Sequence, residues 1–185
     1  MDLGYFHYLL FNMRYKIRGL CGMFTQKSCN RDDYNWDDYP DHYKFEESKT
    51  KKVNTIKISK DDYIFVDEKL KMNDNKNILP LHPNYRLIYE TILQLSPTSV
   101  LEVGCGGGFH LYNLSVLDPK IQLYGVDISP RQIQLLHQRH KNLKANVQVL
   151  DITLPHPADS PVVDIAYTQA VIMHIKTKNN HLRAF

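Results

Sequence analysis

The sequence predicts an α/β fold: a parallel sheet of about four strands with helices on both faces, preceded by a helical or irregular N-terminal arm. Three observations lead there. After Pro80, short apolar runs rich in β-branched residues alternate with segments of helical periodicity. A glycine-rich turn, GCGGG at residues 104–108, stands where the first of those runs passes into a helix. Before Pro80 the composition is different, apolar and basic to about residue 30 and then rich in charge, Asn and Tyr.

Residues 1–79 read as the arm and residues 80–185 as the domain. The apolar run at 3–13 is interrupted by His7 and Asn12 and followed by Arg14, Lys16 and Arg18. It is shorter than the roughly 20 apolar residues of a membrane span. Its positive charges follow the apolar stretch, whereas a secretory signal has them in front. Two readings stay open: an amphipathic helix docked on the domain, or a basic helix touching a membrane surface through residues 1–24. With no targeting signal, a cytoplasmic location is the expectation. Residues 31–47, RDDYNWDDYPDHYKFEE, are acidic and aromatic, and the segment after them is basic. Partial alternation over 53–66 admits a hairpin.

In the domain, Pro83 and Asn84 open a helix whose apolar stripe is Tyr85, Leu87, Ile88, Ile92, Leu93 and Leu95. Ser96-Pro97 closes it, because a residue before proline avoids helical geometry. Strands are predicted at 99–103, 121–126, 147–150 and 163–167. A helix fills 109–117. Another runs from Ser129-Pro130, a serine cap with proline in the first turn, to about Leu143, with Ile133, Leu136 and His140 on one side. A loop stands in place of the helix before the fourth strand.

A chain of 185 residues with net charge +3 and 43% hydrophobic residues suits one domain with an appended arm. That charge is too small to argue for nucleic acid. Lys141, Lys144, Lys176 and Lys178 are scattered, with no basic stripe, so no nucleic-acid surface is expected. Cys21, Cys29 and Cys105 form neither a disulfide framework nor the short spacing of a zinc knuckle, which points to a reduced setting and no metal.

The turn at 104–108 is the most informative stretch. Glycine reaches positive φ without a Cβ clash and lets a ligand approach the backbone. At the start of a helix such a turn also offers N–H groups to a carboxylate or phosphate. A dinucleotide fingerprint, G-x-G-x-x-G/A, needs a small residue at the sixth position. Counted from Gly104 that position is Phe109, and from Gly106 it is Leu111. What stands here is Glu102-x-Gly104-x-Gly106-x-Gly108.

This pattern resembles motif I of the class I, Rossmann-like S-adenosylmethionine-dependent methyltransferases, E/D-x-G-x-G-x-G. The resemblance covers roughly residues 80–185. It implies S-adenosylmethionine as cofactor, with Glu102, Gly104, Cys105, Gly106 and Gly108 around its amino-acid end. Asp127, 23 positions after Gly104 in LYGVDISP, is similar to the acidic residue of the second motif. Its carboxylate would accept hydrogen bonds from the ribose diol, and Ile128 would pack on the adenine. Asp151 would take the adenine amino group and the Ile152 N–H a ring nitrogen. The segment VVDIAYTQAVIMHI resembles the fourth-strand motif, with Asp164 and His174 in its marked places and Gln169 and Ala170 beside the sulfonium.

The resemblance also implies roles in catalysis. His174 is the general base it indicates for an oxygen or nitrogen acceptor, and His110, beside the glycine turn, is a weaker candidate. Residues 34–39 are a candidate lid in which Trp36 or Tyr39 shields the sulfonium, or else they pack the arm on the domain. A full domain of that family has seven strands and this sequence supplies four. The domain therefore reads as incomplete, its fourth strand an edge that a partner chain could complete. The expected function is methyl transfer to an unidentified small-molecule acceptor. The alternative is a catalytically inactive cofactor-binding or interaction fragment. A nucleotide-binding oxidoreductase is disfavoured by Phe109.

Overall fold

The computed structural model describes residues 57–74, 78–155 and 160–175. All lie in the compact unit Asn35–Phe185. The readings for residues 1–24 and for the lid at 34–39 fall outside the described residues.

The hairpin appears later than the alternation at 53–66 predicts. β1 (Tyr63–Val66) uses only the YIFV half of that stretch and pairs antiparallel with β2 (Lys69–Met72). The two residues between them, Asp67 and Glu68, both have positive φ, 51° and 59°. That is the twist a two-residue hairpin needs, supplied here without glycine. One acid ties the hairpin down. Glu90 Oε1 accepts from the Leu70 amide and from Arg86 Nε, each at 2.9 Å, and Lys69 Nζ reaches Oε2 at 3.4 Å. Burial pushes the Glu90 carboxyl up, but Arg86, the Leu70 amide and Lys69 outweigh it and hold the group below its ordinary value. Ile58, Tyr63 and Leu70 are buried in one cluster with Tyr89 and Leu93, so the apolar core reaches across Pro80.

α1 (Pro83–Gln94) starts where the sequence indicates. His82 Nδ1 accepts from the Asn84 amide at 3.3 Å, and Pro83 fills the first turn. The helix buries Tyr89, Glu90, Ile92 and Leu93 and ends before Pro97.

Four parallel strands follow: β3 (Ser99–Val103), β4 (Gln122–Asp127), β5 (Ala145–Val149) and β6 (Ile165–Thr168), in the order β5-β4-β3-β6. This is the predicted parallel, Rossmann-like sheet, with β5 and β6 displaced by a residue or two from their expected bounds. β6 starts late because Asp164 works as a staple. Its Oδ2 accepts from the Thr98 amide (2.7 Å), the Thr98 hydroxyl (2.6 Å) and the Ser99 amide (2.9 Å). These bonds, Thr98 first, keep its carboxyl below the usual range and pin the entry of β6 to that of β3, with Ile165 opposite Val100.

α2 (Phe109–Leu117) joins β3 to β4, and α3 (Pro130–Arg139) joins β4 to β5. Ser129 Oγ caps α3 by accepting from the Gln132 amide at 3.1 Å. The helix stops at Arg139, short of the expected Leu143, and His140 sits in its cap. Among the described residues all three helices lie on one face, over Val100, Leu123 and Val147. The fit there is close: a Cβ on Gly125 would come within 2.7 Å of Leu111 Cδ1. On the other face Leu101, Val103 and Val126 meet Leu150, Ile152, Val171 and Ile175 from connecting segments. Among the described residues that face also carries the single 3-10 turn Ile172–His174. Among the described residues no helix is long and apolar enough to cross a membrane.

Candidate functional site

Because β3, β4, β5 and β6 are parallel, their C-terminal ends share one edge of the sheet, where open α/β sheets bind ligands. The turn at 104–108 leaves β3 there, Asp127 ends β4, Asp151 follows β5, and Gln169 follows β6. The four sequence-predicted segments therefore converge.

Gly104, Gly106 and Gly108 have φ of 75°, 47° and 78°, the left-handed region. The first amides of the turn are spent on β4, with Gly104 N and Cys105 N both donating to Val126 O at 2.7 and 3.0 Å. Gly104 is doubly constrained, since any side chain there would run into Val171. At Gly106, in contrast, an added Cβ would meet nothing nearer than Gln132 Oε1 at 3.8 Å, so this side of the turn is open.

Asp127 is locked to the turn. Its Oδ2 accepts from the Gly106 amide at 2.8 Å and its Oδ1 from the Ser129 amide at 2.9 Å. These two backbone bonds orient the carboxylate. Ile128 next to it is 52% exposed, an apolar side chain held at the rim. Asp151 Oδ1 accepts from Thr153 N and Oγ1 at 2.9 and 2.7 Å, closing a tight turn that buries Ile152.

Two members of the motif lie beneath the surface. Glu102 is buried beside Tyr167, its neighbour in register on β6. Burial pushes its carboxyl well above the usual range and Asp127 adds to that, while Tyr167 opposes it. The phenol faces the carboxyl, yet neither Glu102 Oε2 nor the Tyr167 hydroxyl completes a well-formed hydrogen bond. Cys105 is buried too, and burial, Glu102 and Asp127 push its thiol up, so it stays protonated and offers only backbone to the site.

Past β6 the chain turns through Ala170, which adopts φ of 61° despite its Cβ. His174 belongs to a single 3-10 turn, Ile172–His174. Its neighbours Val171 and Ile175 pack on Val103, Val126 and Ile152. His110 is a poor base. Burial pulls its imidazole down to about 4, and Gln169 only partly offsets this. Tyr89 holds it at 2.7 Å and Tyr85 packs edge-on against it, centroids 4.5 Å apart.

Sequence reasoning missed Val171, Gln132 and Tyr89 as residues that shape the site. An apolar residue behind a glycine and a tyrosine in a helical stripe carry no marker of such a role.

Residues 95–185 match the family model described as a methyltransferase domain. No curated protein sequence matches the chain. Three solved structures similar to it are also methyltransferases by their descriptions. The plantazolicin methyltransferase BpumL, with a pentazolic desmethylPZN analog and SAH, is 29% identical over 43% of this chain and 30% of its own (TM-score 0.36). The methyltransferase domain of bacterial CtHen1-C is 22% identical over 55% of each chain (TM-score 0.48). SAM-bound CalS10, an amino pentose methyltransferase from Micromonospora echinaspora, is 18% identical over 56% of this chain and 42% of its own (TM-score 0.46). The chain thus spans between about a third and about half of these proteins. By sequence, residues 95–185 belong to the methyltransferase domain family.

Proposed function

We propose that the chain binds S-adenosylmethionine at the C-terminal edge of its sheet and directs the methyl group to a small-molecule acceptor. The observation that carries this reading is the pairing of an open left-handed glycine turn with an acid on the next strand, fixed to it by the Gly106 N–H···Oδ2 bond of 2.8 Å.

The residues fit the cofactor. The turn at 104–108 opens α2, where backbone N–H groups and the helix dipole favour the carboxylate of an amino-acid group. The unpartnered Glu102 Oε2 beneath it is a polar atom suited to the ammonium of that group. Asp127, oriented by the Gly106 and Ser129 amides, is the acceptor for the ribose diol, and Ile128 supplies an apolar platform for the adenine. Asp151 and the Ile152 amide frame the far side of the base. Gln169 stands at the amino-acid end, next along the sheet edge from Gly104. Bound there, the cofactor supplies an electrophilic methyl group on sulfur.

The protein's part is to position and to remove a proton. His174 is the residue proposed to take that proton from an oxygen or nitrogen acceptor. His110 is unsuited to that role, since burial holds its value to about 4.

Calorimetric titration of the full chain tests the reading. S-adenosylhomocysteine should bind and NAD should not. Asp127→Ala should weaken S-adenosylhomocysteine by at least about tenfold, the worth of a hydrogen bond to a charged group. Urea unfolding of the variant would show that the fold survives. Unchanged affinity in a folded Asp127→Ala chain would sink the assignment.

A further inference from the structure

Among the described residues His140 is only 5% exposed, yet neither of its ring nitrogens completes a hydrogen bond. A neutral imidazole carries one N–H donor and one acceptor, and burying both unmet is costly. Packing alone holds the ring. Tyr112 stacks on it with centroids 4.7 Å apart, and Phe109 meets it edge-on at 5.6 Å. Phenylalanine would fill that slot without the polar cost, so packing does not account for a histidine here. The ring lines a cavity of about 150 Å³ between α2 and the end of α3. Tyr112 and Ser115 line it from α2, and Arg139, Lys141 and Asn142 from the other side. No carboxylate is in that lining, and among the described residues no acid pairs with Arg139 or Lys141. Arg139 is held in place, since a Cβ on Gly107 would run into its Nη1 and its guanidinium lies 5.4 Å from the Phe109 ring centroid. Lys57 Nζ adds a further cation, 4.5 Å from the centroid of Tyr112. Burial first, then Lys57 and Arg139, keep the imidazole below its ordinary value, with the Gly107 backbone opposing them.

We infer that this cleft binds a phosphate group, attracted by Arg139 and Lys141 and hydrogen-bonded by the His140 ring. The lining supplies cations and N–H donors, which is what an oxyanion with several acceptor oxygens needs. A phosphate protonated once also has an O–H to give, so it can meet both the donor and the acceptor of a neutral imidazole. A carboxylate or a halide cannot. The C-terminal dipole of α3 works against an anion here, by about fivefold at most. Charge-assisted hydrogen bonds from two cations outweigh it. None of these residues belongs to the set proposed to hold S-adenosylmethionine, so the two sites stand or fall separately. The phosphate can be the free ion or can be carried on an ester.

The test titrates the nitrogen-15-labelled full-length chain with inorganic phosphate and, separately, with methyl phosphate, at an ionic strength held constant with sodium chloride. The backbone amides of Arg139, His140, Lys141 and Asn142 should shift and saturate. Saturation by both probes identifies a site that also accepts an ester, and saturation by inorganic phosphate alone identifies a site for the free ion. Saturation by neither would overturn the inference. Lys141→Gln changes an exposed position and should weaken phosphate by about tenfold. His140→Phe keeps the aromatic stack and removes both ring nitrogens. It should abolish saturation and, in phosphate-free buffer, raise the urea midpoint, because two unmet polar atoms leave the interior. Phosphate also stabilises folded proteins in general by exclusion from their surface, so only the part of its effect that His140→Phe removes belongs to the site. A His140→Phe chain that still saturates, or that is less stable than wild type without phosphate, would show that the ring serves the fold and would overturn the inference.

Discussion

On one face of the sheet, Val100, Leu123 and Val147 lie under three helices, with Leu111, Leu114 and Leu136 buried among them. On the other, among the described residues, Leu101, Val103 and Val126 meet Leu150, Ile152, Val171 and Ile175. The handedness of crossovers accounts for the contrast. The steps β3 to β4 and β4 to β5 run in the same direction across the sheet, so two right-handed connections put α2 and α3 on the same side. The return from β5 to β6 runs the opposite way and passes over the other face, and its described part contains no helix. The strands reflect this. In β5, Ala145 and Val147 turn toward the helices, while Asn146 and Gln148 between them are exposed. Among the described residues β5 is thus covered more on one side than on the other. The covered face holds the site in place from beneath, and the other face contributes Val171 as a wedge against Gly104.

The largest expected effect would sharpen or break this contrast directly. Leu111→Ala removes a fully buried side chain that touches Gly125 and should cost about 3–4 kcal/mol. Leu101→Ala removes a half-buried one and should cost about 1 kcal/mol. Urea unfolding of the two full-length variants measures both. Equal losses would mean that the second face is sealed in solution as thoroughly as the first.

The next effect is set by pH and belongs to the covered face alone. His110 titrates near 4 in the folded chain because burial disfavours its charged form, against an ordinary value of 6.5. The unfolded chain therefore binds the extra proton first. Stability from this residue is fully present above about pH 6.5 and is lost as pH falls toward 4, by about 3 kcal/mol at a little over 1 kcal/mol per unit. A His110→Gln chain should lack that portion of the pH dependence. Parallel stability–pH curves for the two proteins between pH 4 and 7 would show that the imidazole is solvated in the folded state.

Much of this was legible in the sequence because it is written in local chemistry. SVLEV followed by glycines, LYGVD followed by Ser-Pro, and the stripe ending at Ser96-Pro97 each mark one element, and the structure puts each in place. The convergence of residues 104–108, Asp127, Asp151 and Gln169 followed from parallel topology. Long-range relations were not legible. Nothing near Glu90 in the sequence says that it will anchor Leu70, and no pattern links Ile58 to Asn113 or Tyr89 to His110. The hairpin was misplaced because Asp67-Glu68 lacks the Asn-Gly or Asp-Gly signal of a tight turn. Which face each helix takes was not legible, because it depends on strand order, which the alternation of elements leaves open.

The smallest effects come from two turns that force a side chain into the left-handed region, one on each side of the contrast. Glu68 has φ of 59° in the hairpin that Glu90 ties to the covered core, and Ala170 has φ of 61° after β6. Replacing either with glycine relieves a Cβ clash and gives back some chain entropy to the unfolded state. Where φ is positive the relief wins, by roughly 0.5–1 kcal/mol. Glu68→Gly should raise the urea midpoint by that amount and leave S-adenosylhomocysteine affinity as it is, since its strain is local to the hairpin. Ala170→Gly should gain similar stability but weaken the ligand, because the turn it loosens aims Gln169 and seats Val171 on Gly104. If both variants bound equally well, the strain at Ala170 would be incidental to the site, and the rigid edge would be the work of the glycine turn and Asp127 alone.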